Sequence, residues 1–486
     1  MSSKEIKFGI DFGTTSCAVV GFIDGNKFHY GISGDRPFPS IVAINKETGE
    51  IYTGENARAK RVELSESCEY IPSIKTMLDE AREWVVCGKT YTPTDIASIL
   101  FSALKANVES SEDAYEMNEA VVSIPIGFSS AKRDVLRKAA QNAGIKISAF
   151  VSEPTSAFFA NYSELKSDSN IVVFDWGGGT LDVSLISHEK GRISEMLTEG
   201  MAKAGDYIDL ELAKKIHTRF SRAQEKKIEF DKMPAMARDR LLTRSERAKI
   251  LLSDSDEATI SVNNYGEYGA VRYTLEYDWF SDIINPVVTD ALNVFKRVLE
   301  KANMSVGNID RIILVGGSSR LRPLYDALVK IVGDDEDKIF IPEESMWSVG
   351  EGAALLANNP GCVYSNQAVE LVLSDGSHFP LLKPDQCFIE NGKLWSRKFN
   401  FGITDTTKQA RLVFSGSVDI DESEDKFKVI DIPTYNFLHE KIILEAFVDD
   451  NMMFCVEAKS SNLREQFSER WEYPKLKSYY KLPDLN

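Results

Sequence analysis

Two short segments of the chain combine an aspartate, glycines and threonines in the same order. The first is Asp11-Phe12-Gly13-Thr14-Thr15 and the second is Asp175-Trp176-Gly177-Gly178-Gly179-Thr180. Glycines let backbone N–H groups approach an anion closely, and threonine hydroxyls add further donors. An aspartate beside such a cradle would repel a bare phosphate, so it indicates a cation between them, usually Mg²⁺ held through water. The two segments therefore predict a site for a metal-bound nucleotide.

Both segments are predicted to be hairpin turns. The apolar runs Ile6–Ile10 and Ile171–Phe174 precede them as strands, and Cys17–Gly21 and Leu181–Ile186 follow them as strands. One glycine-containing hairpin would be weak evidence, but repetition of the same residue order argues against two unrelated turns. The repetition predicts two related lobes that hold a polyphosphate between them.

A third glycine turn completes the set. The buried-strand run Ile312–Val315 leads into Gly316-Gly317-Ser318-Ser319-Arg320, and a helix is predicted over Leu321–Ile331. Glycines at this junction leave a flat surface for a base or sugar. No Gly-Lys-Ser/Thr follows and the spacing is not that of a dinucleotide fingerprint, so P-loop kinases and dehydrogenases are excluded.

With these residues the chain resembles the actin, sugar-kinase and heat-shock ATPase superfamily, and within it the seventy-kilodalton heat-shock (DnaK-type) chaperone family. Further matching segments, which extend the resemblance over residues 6 to 357, are Val122-Ser123-Ile124-Pro125 with Ser129 to Gly144, Ser152-Glu153-Pro154-Thr155-Ser156-Ala157, Ser73-Ile74-Lys75-Thr76-Met77-Leu78, and Glu246-Arg247-Ala248-Lys249 with Ser253. The resemblance implies an α/β, two-lobed actin-like ATPase fold of duplicated ribonuclease H-like domains. It also implies ATP or ADP with Mg²⁺ as ligands.

The resemblance assigns roles to individual residues. Asp11 and Asp175 are implied to hold Mg²⁺ through its waters, and Asp11 with Asp182 is implied to seat a potassium ion. The implied catalytic residues, which contact the γ-phosphate or orient the attacking water, are Lys75, Glu153, Thr180 and Asp182. The implied nucleotide-contacting residues are Gly13, Thr14, Thr15, Gly177, Gly178, Gly179, Gly205, Glu246, Lys249, Ser253, Gly316, Gly317, Ser318 and Arg320.

Plainer interpretations of the side chains in this set stay open. Lys75 alone could be a solvated surface lysine, and Glu153 could be an acid that stabilises a helix N-terminus. Glu246, Lys249 and Ser253 share one helix face, which could equally be a charged solvent face. The motifs that surround these residues favour the functional interpretation.

The chain also departs from the family pattern at three places. Ile250 stands where the family often carries a base-stacking arginine, and Ala204-Gly205-Asp206 has one glycine instead of two. The segment Glu344–Gly352 is longer than its counterpart and contains Trp347. These departures are expected to affect nucleotide affinity and communication between the lobes.

Composition limits the function classes. The 486 residues include 57 basic and 74 acidic side chains, and the resulting charge of −17 disfavours nucleic acid and anionic membranes as partners. The six cysteines form no C-x-x-C pair, so neither a zinc site nor a disulfide framework is indicated, and a reducing compartment fits. No apolar run approaches membrane-spanning length, so a soluble cytoplasmic protein is expected.

The domain organisation is predicted from the order of the motifs. Residues 1–360 form the nucleotide-binding ATPase domain, with insertions at about 40–114 and 206–284. The first lobe's base is formed by residues 1 to about 39 and about 115 to 165. After the second insertion comes a helix at Asn285–Asn303, and Ser348–Ala357 is a helix that returns to the first lobe.

Beyond Pro360 the pattern changes to short strands. Residues 361–373 are a linker or a first strand, and residues 374–486 form a β-rich substrate-binding-like domain that resembles the family's peptide-binding β-sandwich. Its predicted strands are Glu370–Leu373, His378–Leu382, Ala410–Phe414, Phe427–Ile432, Ile442–Val448 and Met452–Ala458. Pro474 and Pro483 interrupt the remaining chain, so the family's helical lid is expected to be absent and peptide binding to be weak and fast.

The expected function is that of an ATP-dependent, chaperone-like protein that hydrolyses Mg-ATP slowly and couples it to weak peptide or partner binding. The resemblance implies an unfolded peptide or protein client, a J-domain cochaperone and a nucleotide exchange factor as partners. Two alternatives remain. One is a nucleotide-binding, non-hydrolysing regulator of another chaperone, and the other is a small-molecule kinase or filament former of the same superfamily.

Overall fold

The computed structural model describes residues 6–32, 36–63, 66–222, 227–358, 362–390, 393–403, 408–416, 427–435, 437, 439–462, 467–473, 476 and 478–482. The chain is a mixed α/β protein with several sheets, and it divides into two compact units. The first unit comprises Met1–Ile126, Asp134–His188 and Met196–Asn359. The second comprises Gly127–Arg133, Glu189–Glu195 and Pro360–Asn486.

The strands that precede residue 359 are numbered in chain order. They are β1 (Lys7–Phe12), β2 (Ser16–Ile23), β3 (Asn26–His29), β4 (Phe38–Pro39), β5 (Ile41–Asn45), β6 (Ile51–Thr53), β7 (Cys68–Pro72), β8 (Trp84–Val86), β9 (Lys89–Tyr91), β10 (Glu119–Ile124), β11 (Lys146–Ser152), β12 (Asn170–Trp176), β13 (Leu181–Glu189), β14 (Arg192–Met201), β15 (Glu257–Val262), β16 (Val271–Glu276), β17 (Arg311–Val315) and β18 (Ile339–Phe340).

The helices in the same part of the chain alternate with these strands. They are α1 (Gly54–Glu63), α2 (Pro93–Glu109), α3 (Ser130–Asn142), α4 (Glu153–Ala160), α5 (Tyr162–Leu165), α6 (Gly205–Arg222), α7 (Ala235–Leu251), α8 (Tyr277–Lys301), α9 (Arg322–Val332) and α10 (Ser348–Asn358).

Two sheets of the first unit share one arrangement. In the first, with the order β11-β10-β1-β2-β3, strand β1 is antiparallel to β2 and parallel to β10. In the second, with the order β18-β17-β12-β13-β14, strand β12 is antiparallel to β13 and parallel to β17. The central strand of each sheet therefore carries an aspartate near its end, Asp11 in β1 and Asp175 in β12. Both aspartates lie where their strand enters a glycine turn.

Helix α10 packs against β1, β2, β10 and α4. The approach is close enough to require glycine, since a Cβ on Gly352 would collide with the Ser156 carbonyl group and one on Gly9 would collide with the α10 backbone. Because a backbone neighbour cannot move aside as a flexible side chain can, these contacts fix the position of α10 on the sheet.

Helices α6 to α9 pack with the second sheet around one hydrophobic core, in which Trp176, Phe280 and Phe295 are fully buried. The predicted start of a helix at Asn285 is wrong, because α8 begins at Tyr277 and contains Pro286. The buried positions Phe280, Ile284 and Val287 lie on both sides of this proline. A continuous apolar stripe thus outweighs the lost backbone hydrogen bond that proline causes.

The second unit is rich in β structure. Its described strands are β19 (Cys362–Ser365), β20 (Val369–Val372), β21 (His378–Leu382), β22 (Ile389–Glu390), β23 (Lys393–Leu394), β24 (Ser396–Gly402), β25 (Gln409–Gly416), β26 (Phe427–Pro433), β27 (Lys441–Val448), β28 (Phe454–Ser460), β29 (Ser468–Tyr473) and β30 (Ser478–Lys481). Two four-stranded antiparallel sheets, β21-β20-β25-β26 and β24-β27-β28-β29, enclose a core that includes Phe388, Trp395 and Phe454. Residues Val369–Val372, which the sequence left open as linker or strand, form strand β20.

Candidate functional site

The two predicted hairpin turns lie against each other. The first joins β1 to β2, with Phe12 opposite Cys17, and the second joins β12 to β13, with Trp176 opposite Leu181. A Cβ on Gly178 would collide with Thr15, and one on Gly179 would collide with Thr14. Glycine is therefore needed at both positions to bring the two turns together. The Thr15 hydroxyl also donates a hydrogen bond to Asp206 at 3.4 Å, at the start of α6.

The third glycine turn is hydrogen-bonded to the second hairpin and to the strand that leads into it. Gly316 has a positive φ of 80°, and a Cβ there would lie 2.7 Å from the Trp176 carbonyl oxygen. The Ser318 hydroxyl donates to the Gly177 carbonyl oxygen at 2.8 Å, and the Ser319 hydroxyl donates to the Phe174 carbonyl oxygen at 3.1 Å. These bonds hold the turn after β17 beside the turn after β12, so three backbone turns converge on one place.

The side chain of one lysine lies close to four carboxylates near the turns, namely those of Asp11, Glu153, Asp175 and Asp182. Lys75 Nζ donates to Glu153 Oε1 at 2.5 Å, and both side chains are buried. Lys75 lies in a helical turn, Ile74–Met77, that follows Ser73, a non-glycine residue with a left-handed φ of 58°. Glu153 is the first residue of α4. The structure thus contradicts the surface-lysine interpretation of Lys75, whereas Glu153 is both a helix N-terminal acid and a partner of Lys75.

Burial shifts the pKa values of Lys75 and of three of these carboxyl groups. Desolvation, together with the nearby charge of Glu153, raises the pKa of Asp11 and of Asp182 from 3.8 to about 6. Burial, with the same charge, raises the pKa of Asp175 well above its ordinary value. For Lys75 burial lowers the pKa, but attraction to Glu153 and Asp11 outweighs this effect and raises it. The four carboxylates carry more negative charge than Lys75 can neutralise. The cleft therefore favours binding of a further cation.

The donor set fits Mg²⁺, because carboxylate oxygens are the ligands that this ion prefers. Among the described residues no three of these cleft carboxylates offer oxygens within 4.8 Å of one another. This spacing fits an ion held by Asp11 and Asp175 through its water shell better than one bound directly by three side chains.

The one described group of three potential ligands at that spacing lies in the second unit and is formed by Asp449, Cys455 and Glu472. Arg470 Nη2 lies 2.9 Å from Asp449 Oδ2, 3.3 Å from Cys455 Sγ and 3.1 Å from Glu472 Oε1. A guanidinium therefore supplies the positive charge at that place. The sequence gives no signal of this cluster, because Glu472 joins the other two residues only through the pairing of β28 with β29.

The residues predicted to contact adenosine lie on and after α7. Lys249 is buried, and its ammonium donates to Asp209 Oδ2 at 2.8 Å and to the Gly205 carbonyl oxygen at 3.1 Å. Glu246 pairs with Arg58 of α1 at 3.5 Å. The solvent-face interpretation of this helix is thus wrong for Lys249. Ile250, which replaces the expected arginine, is half exposed and faces the cavity described next.

The three turns, the acidic group and α7 line one cavity of about 350 Å³. All predicted site residues line it except Gly205, where a Cβ would lie 2.7 Å from Ser318 Oγ and 3.1 Å from Lys249 Nζ. Lining residues that the sequence analysis did not single out as contacts include Arg36, Arg58, Asp206, Asp209, Asp254 and Met346. No local motif marks Arg58 or Asp209, since these two reach the cavity only through the packing of α1 and α6 against α7.

Comparison with known proteins shows the family to which the chain belongs. The family model described as Hsp70 protein matches residues 73–378, which is more than half of the chain. The chain therefore belongs to the Hsp70 family. It is 29% identical over 382 residues to the chaperone protein DnaK of Mycoplasmopsis agalactiae (strain NCTC 10123 / CIP 59.7 / PG2), covering 77% of this chain and 61% of that protein. The chain thus matches about three fifths of the length of this relative.

None of the helices in the described ranges is long and apolar enough to cross a membrane.

Proposed function

We propose that this protein is a chaperone-like ATPase that binds Mg-ATP between two actin-like lobes. The observation that carries the proposal is the convergence of three glycine turns, four acids and the buried Lys75 on a single cavity. Glycine turns bind polyphosphate, the acids hold its metal ion, and the lysine reaches the terminal phosphate. Family membership supports the same assignment.

The reaction is transfer of the γ-phosphoryl group to water. The water oxygen forms a bond to phosphorus while the bond from phosphorus to the β,γ-bridging oxygen breaks, which yields ADP and inorganic phosphate. Glu153 and Asp182 orient the water, and Lys75 and Thr180 stabilise charge on the phosphoryl oxygens. When bound, Mg²⁺ neutralises charge on the β- and γ-phosphates. Assignment of a potassium ion to Asp11 and Asp182 stays a prediction.

The second unit is proposed to be a β-sandwich that binds unfolded peptide weakly. Its supporting feature is an aromatic group, defined as Phe379 of β21 with Phe399 and Phe401 of β24. The Phe379 ring meets the other two edge to face, at centroid distances of 5.4 and 5.3 Å, and all three side chains are half-buried. Strands β21 and β24 are edge strands of their sheets. A small apolar surface beside strands at the sheet edges suits an extended peptide.

A phosphate-release assay tests the ATPase proposal. Purified protein is compared with Lys75→Ala and Thr180→Ala variants, each with and without an unfolded peptide. We expect slow release by the native protein and a loss of about a hundredfold or more in both variants, because each removes a donor to the transition state. The control is Lys146→Ala, which removes an exposed lysine paired with Glu119 at 3.3 Å.

The outcomes separate the candidate functions. Equal phosphate release from all forms would refute the catalytic assignment. Tight ATP binding without measurable release would favour the non-hydrolysing regulator. ATP loss that requires a small-molecule acceptor would identify a kinase, and sedimentation of the protein with ATP would identify a filament former. Release that peptide leaves unchanged, with no peptide bound, would remove the chaperone role and leave the ATPase.

A further inference from the structure

Trp347 is a fully buried tryptophan that the proposed reaction does not use. It ends residues 341–347, termed the crossing segment, which join β18 of the second sheet to α10 on the first sheet. Its ring packs with Ala18 and Val20 of β2 and with Ala354 of α10. The tryptophan therefore anchors the chain where it passes from one sheet to the other.

A histidine within a hydrogen-bonded group stacks on this tryptophan. The ring centroids of His29 and Trp347 are 4.6 Å apart, with an interplanar angle of 4°. His29 Nε2 donates to Glu351 Oε1 at 2.8 Å, and Lys27 Nζ donates to Glu351 Oε2 at 2.6 Å. Burial alone would raise the pKa of Glu351, but the hydrogen bonds from His29 and Lys27 outweigh burial and lower it. The ionised carboxylate thus fixes the orientation of the histidine ring on Trp347.

The crossing segment forms part of the cavity wall next to Trp347. Met346 lines the cavity, and a Cβ on Gly317 would lie 3.9 Å from the Met346 sulfur atom. The Gly316 N–H donates to the Ser345 carbonyl oxygen at 3.2 Å. The segment is therefore held by the third glycine turn at one point and by the buried Trp347 ring at the next.

The chain that follows β3 forms another part of the wall. Ile32 and Arg36 line the cavity, and the Ile32 N–H donates to the Arg36 carbonyl oxygen at 2.9 Å. A Cβ on Gly31 would lie 3.2 Å from the Trp347 ring, so glycine lets this part of the chain pack directly on the ring. One buried ring thus supports two parts of the wall, which follow strands of different sheets.

We infer that the stack of His29 on Trp347 positions this part of the cavity wall and so strengthens nucleotide binding. The inference rests on the proposed nucleotide-binding function and adds a positioning pair to it. Neither ring lines the cavity, so the pair acts through the lining residues Met346, Ile32 and Arg36. Support of this kind reduces the ordering that the wall must undergo when a ligand binds.

The test varies His29, because its side chain is 23% exposed and can be removed without a large internal hole. ADP affinity is measured by calorimetric titration in Mg²⁺ buffer, and phosphate release is measured at saturating ATP. For His29→Ala we expect about three- to tenfold weaker ADP binding and a maximal release rate within about twofold of native. The wall supports bound substrate and transition state alike, so its loss weakens binding without slowing the chemical step.

Two further variants address the stack itself. His29→Phe keeps an aromatic ring on Trp347 but lacks the hydrogen bond to Glu351, and it should return ADP affinity to within about twofold of native. Trp347→Leu removes the other ring and keeps an apolar side chain. It should weaken ADP binding at least as much as His29→Ala does.

The matched control is His188→Ala, which removes a buried histidine that packs on the Phe158 ring at 5.1 Å outside the cavity lining. Urea unfolding should show a loss of stability in this variant, whereas its ADP affinity stays native. Native ADP affinity in His29→Ala overturns the inference, and so does an equal loss of affinity in the control or in His29→Phe. If the native protein binds no ADP, the proposed function itself fails, so the two failures are distinguishable.

Discussion

Burial of the Asp182 carboxyl group in the cleft lowers the stability of the protein at neutral pH. Its carboxyl group titrates near 3.8 in an unfolded chain and at about 6 in the folded protein, because burial and Glu153 disfavour the charged form. The folded state thus holds the proton more tightly, and the free energy of unfolding falls as the pH rises from 3.8 through about 6. At neutral pH the ionised group destabilises the nucleotide-free protein by about 3 kcal/mol at most.

Asp182→Asn is therefore expected to stabilise the nucleotide-free protein. Urea unfolding should give a gain of about 1–3 kcal/mol at pH 7.5 and under about 1 kcal/mol at pH 4, where the folded state keeps the proton and roughly 40% of unfolded molecules also carry it. The same variant should lose phosphate release. Asp290→Asn is the control, since this exposed carboxylate pairs with Lys203 at 2.8 Å and should change stability by less than about 1 kcal/mol. A pH-independent effect of Asp182→Asn would contradict the burial argument.

At the scale of elements, two ion pairs connect α1 with α7. Arg58 lies 3.5 Å from Glu246, and Arg61 lies 3.1 Å from Asp239. The two contacts are termed the α1–α7 clasp, and one of them borders the proposed nucleotide cavity, because Arg58 and Glu246 both line it. Each partly exposed pair is worth about 0.2–1 kcal/mol. Together the two pairs are enough to change a dissociation rate but not to determine the fold.

Removal of the clasp should speed release of ADP. For Arg58→Ala combined with Arg61→Ala we expect about three- to tenfold faster dissociation in stopped-flow measurements with a fluorescent ADP analogue. The native rate should rise with salt, whereas the rate of the double variant should respond less. The matched control combines Arg297→Ala with Lys301→Ala, which removes two cations of α8 that pair with Glu199. An unchanged rate in the clasp variant would show that the contacts do not retain nucleotide.

Local sequence patterns predicted the elements that contain apolar runs or glycine turns. Strand β27 alternates buried and partly exposed residues along its length, and the structure has it within one residue of the prediction. Strand β24 was missed because its residues are largely exposed and only Phe399 and Phe401 are apolar and half-buried. Strands β29 and β30 were missed because Pro474 and Pro483 follow them closely in the sequence. Prolines so close to short apolar runs hide the strand pattern.

At the scale of the whole molecule, a cavity residue could be predicted from the sequence only when it lies within a short local motif. The turns with Asp11, Asp175 and Gly316 were identifiable because each carries its own motif. Asp209 and Arg58 were not, because they reach the cavity only when α6 and α1 pack against α7, and no short-range pattern records that packing. The residues with the least sequence signal are therefore the cavity-lining residues that α1 and α6 contribute.

The proposed function requires that nucleotide and peptide influence each other's binding. If ATP changes the affinity for peptide by some factor, peptide must change the affinity for ATP by the same factor. Peptide binding to the full chain is measured by fluorescence anisotropy without nucleotide, with ADP and with ATP. The Lys75→Ala variant is used for this measurement, because we expect it to leave ATP intact. We expect peptide affinity to be lower with ATP than with ADP, by about five- to a hundredfold.

A second variant locates the peptide on the aromatic group. Phe399→Ala should weaken peptide binding about tenfold and leave ADP binding unchanged, because it removes one of three interlocked rings in the second unit. Phe437→Ala is the control, since this phenylalanine of the same unit is 41% exposed and outside the aromatic group. Equal peptide affinity in all nucleotide states would refute coupling even if Phe399→Ala weakens binding. The chain would then hold two independent sites, and hydrolysis at one could not drive release at the other.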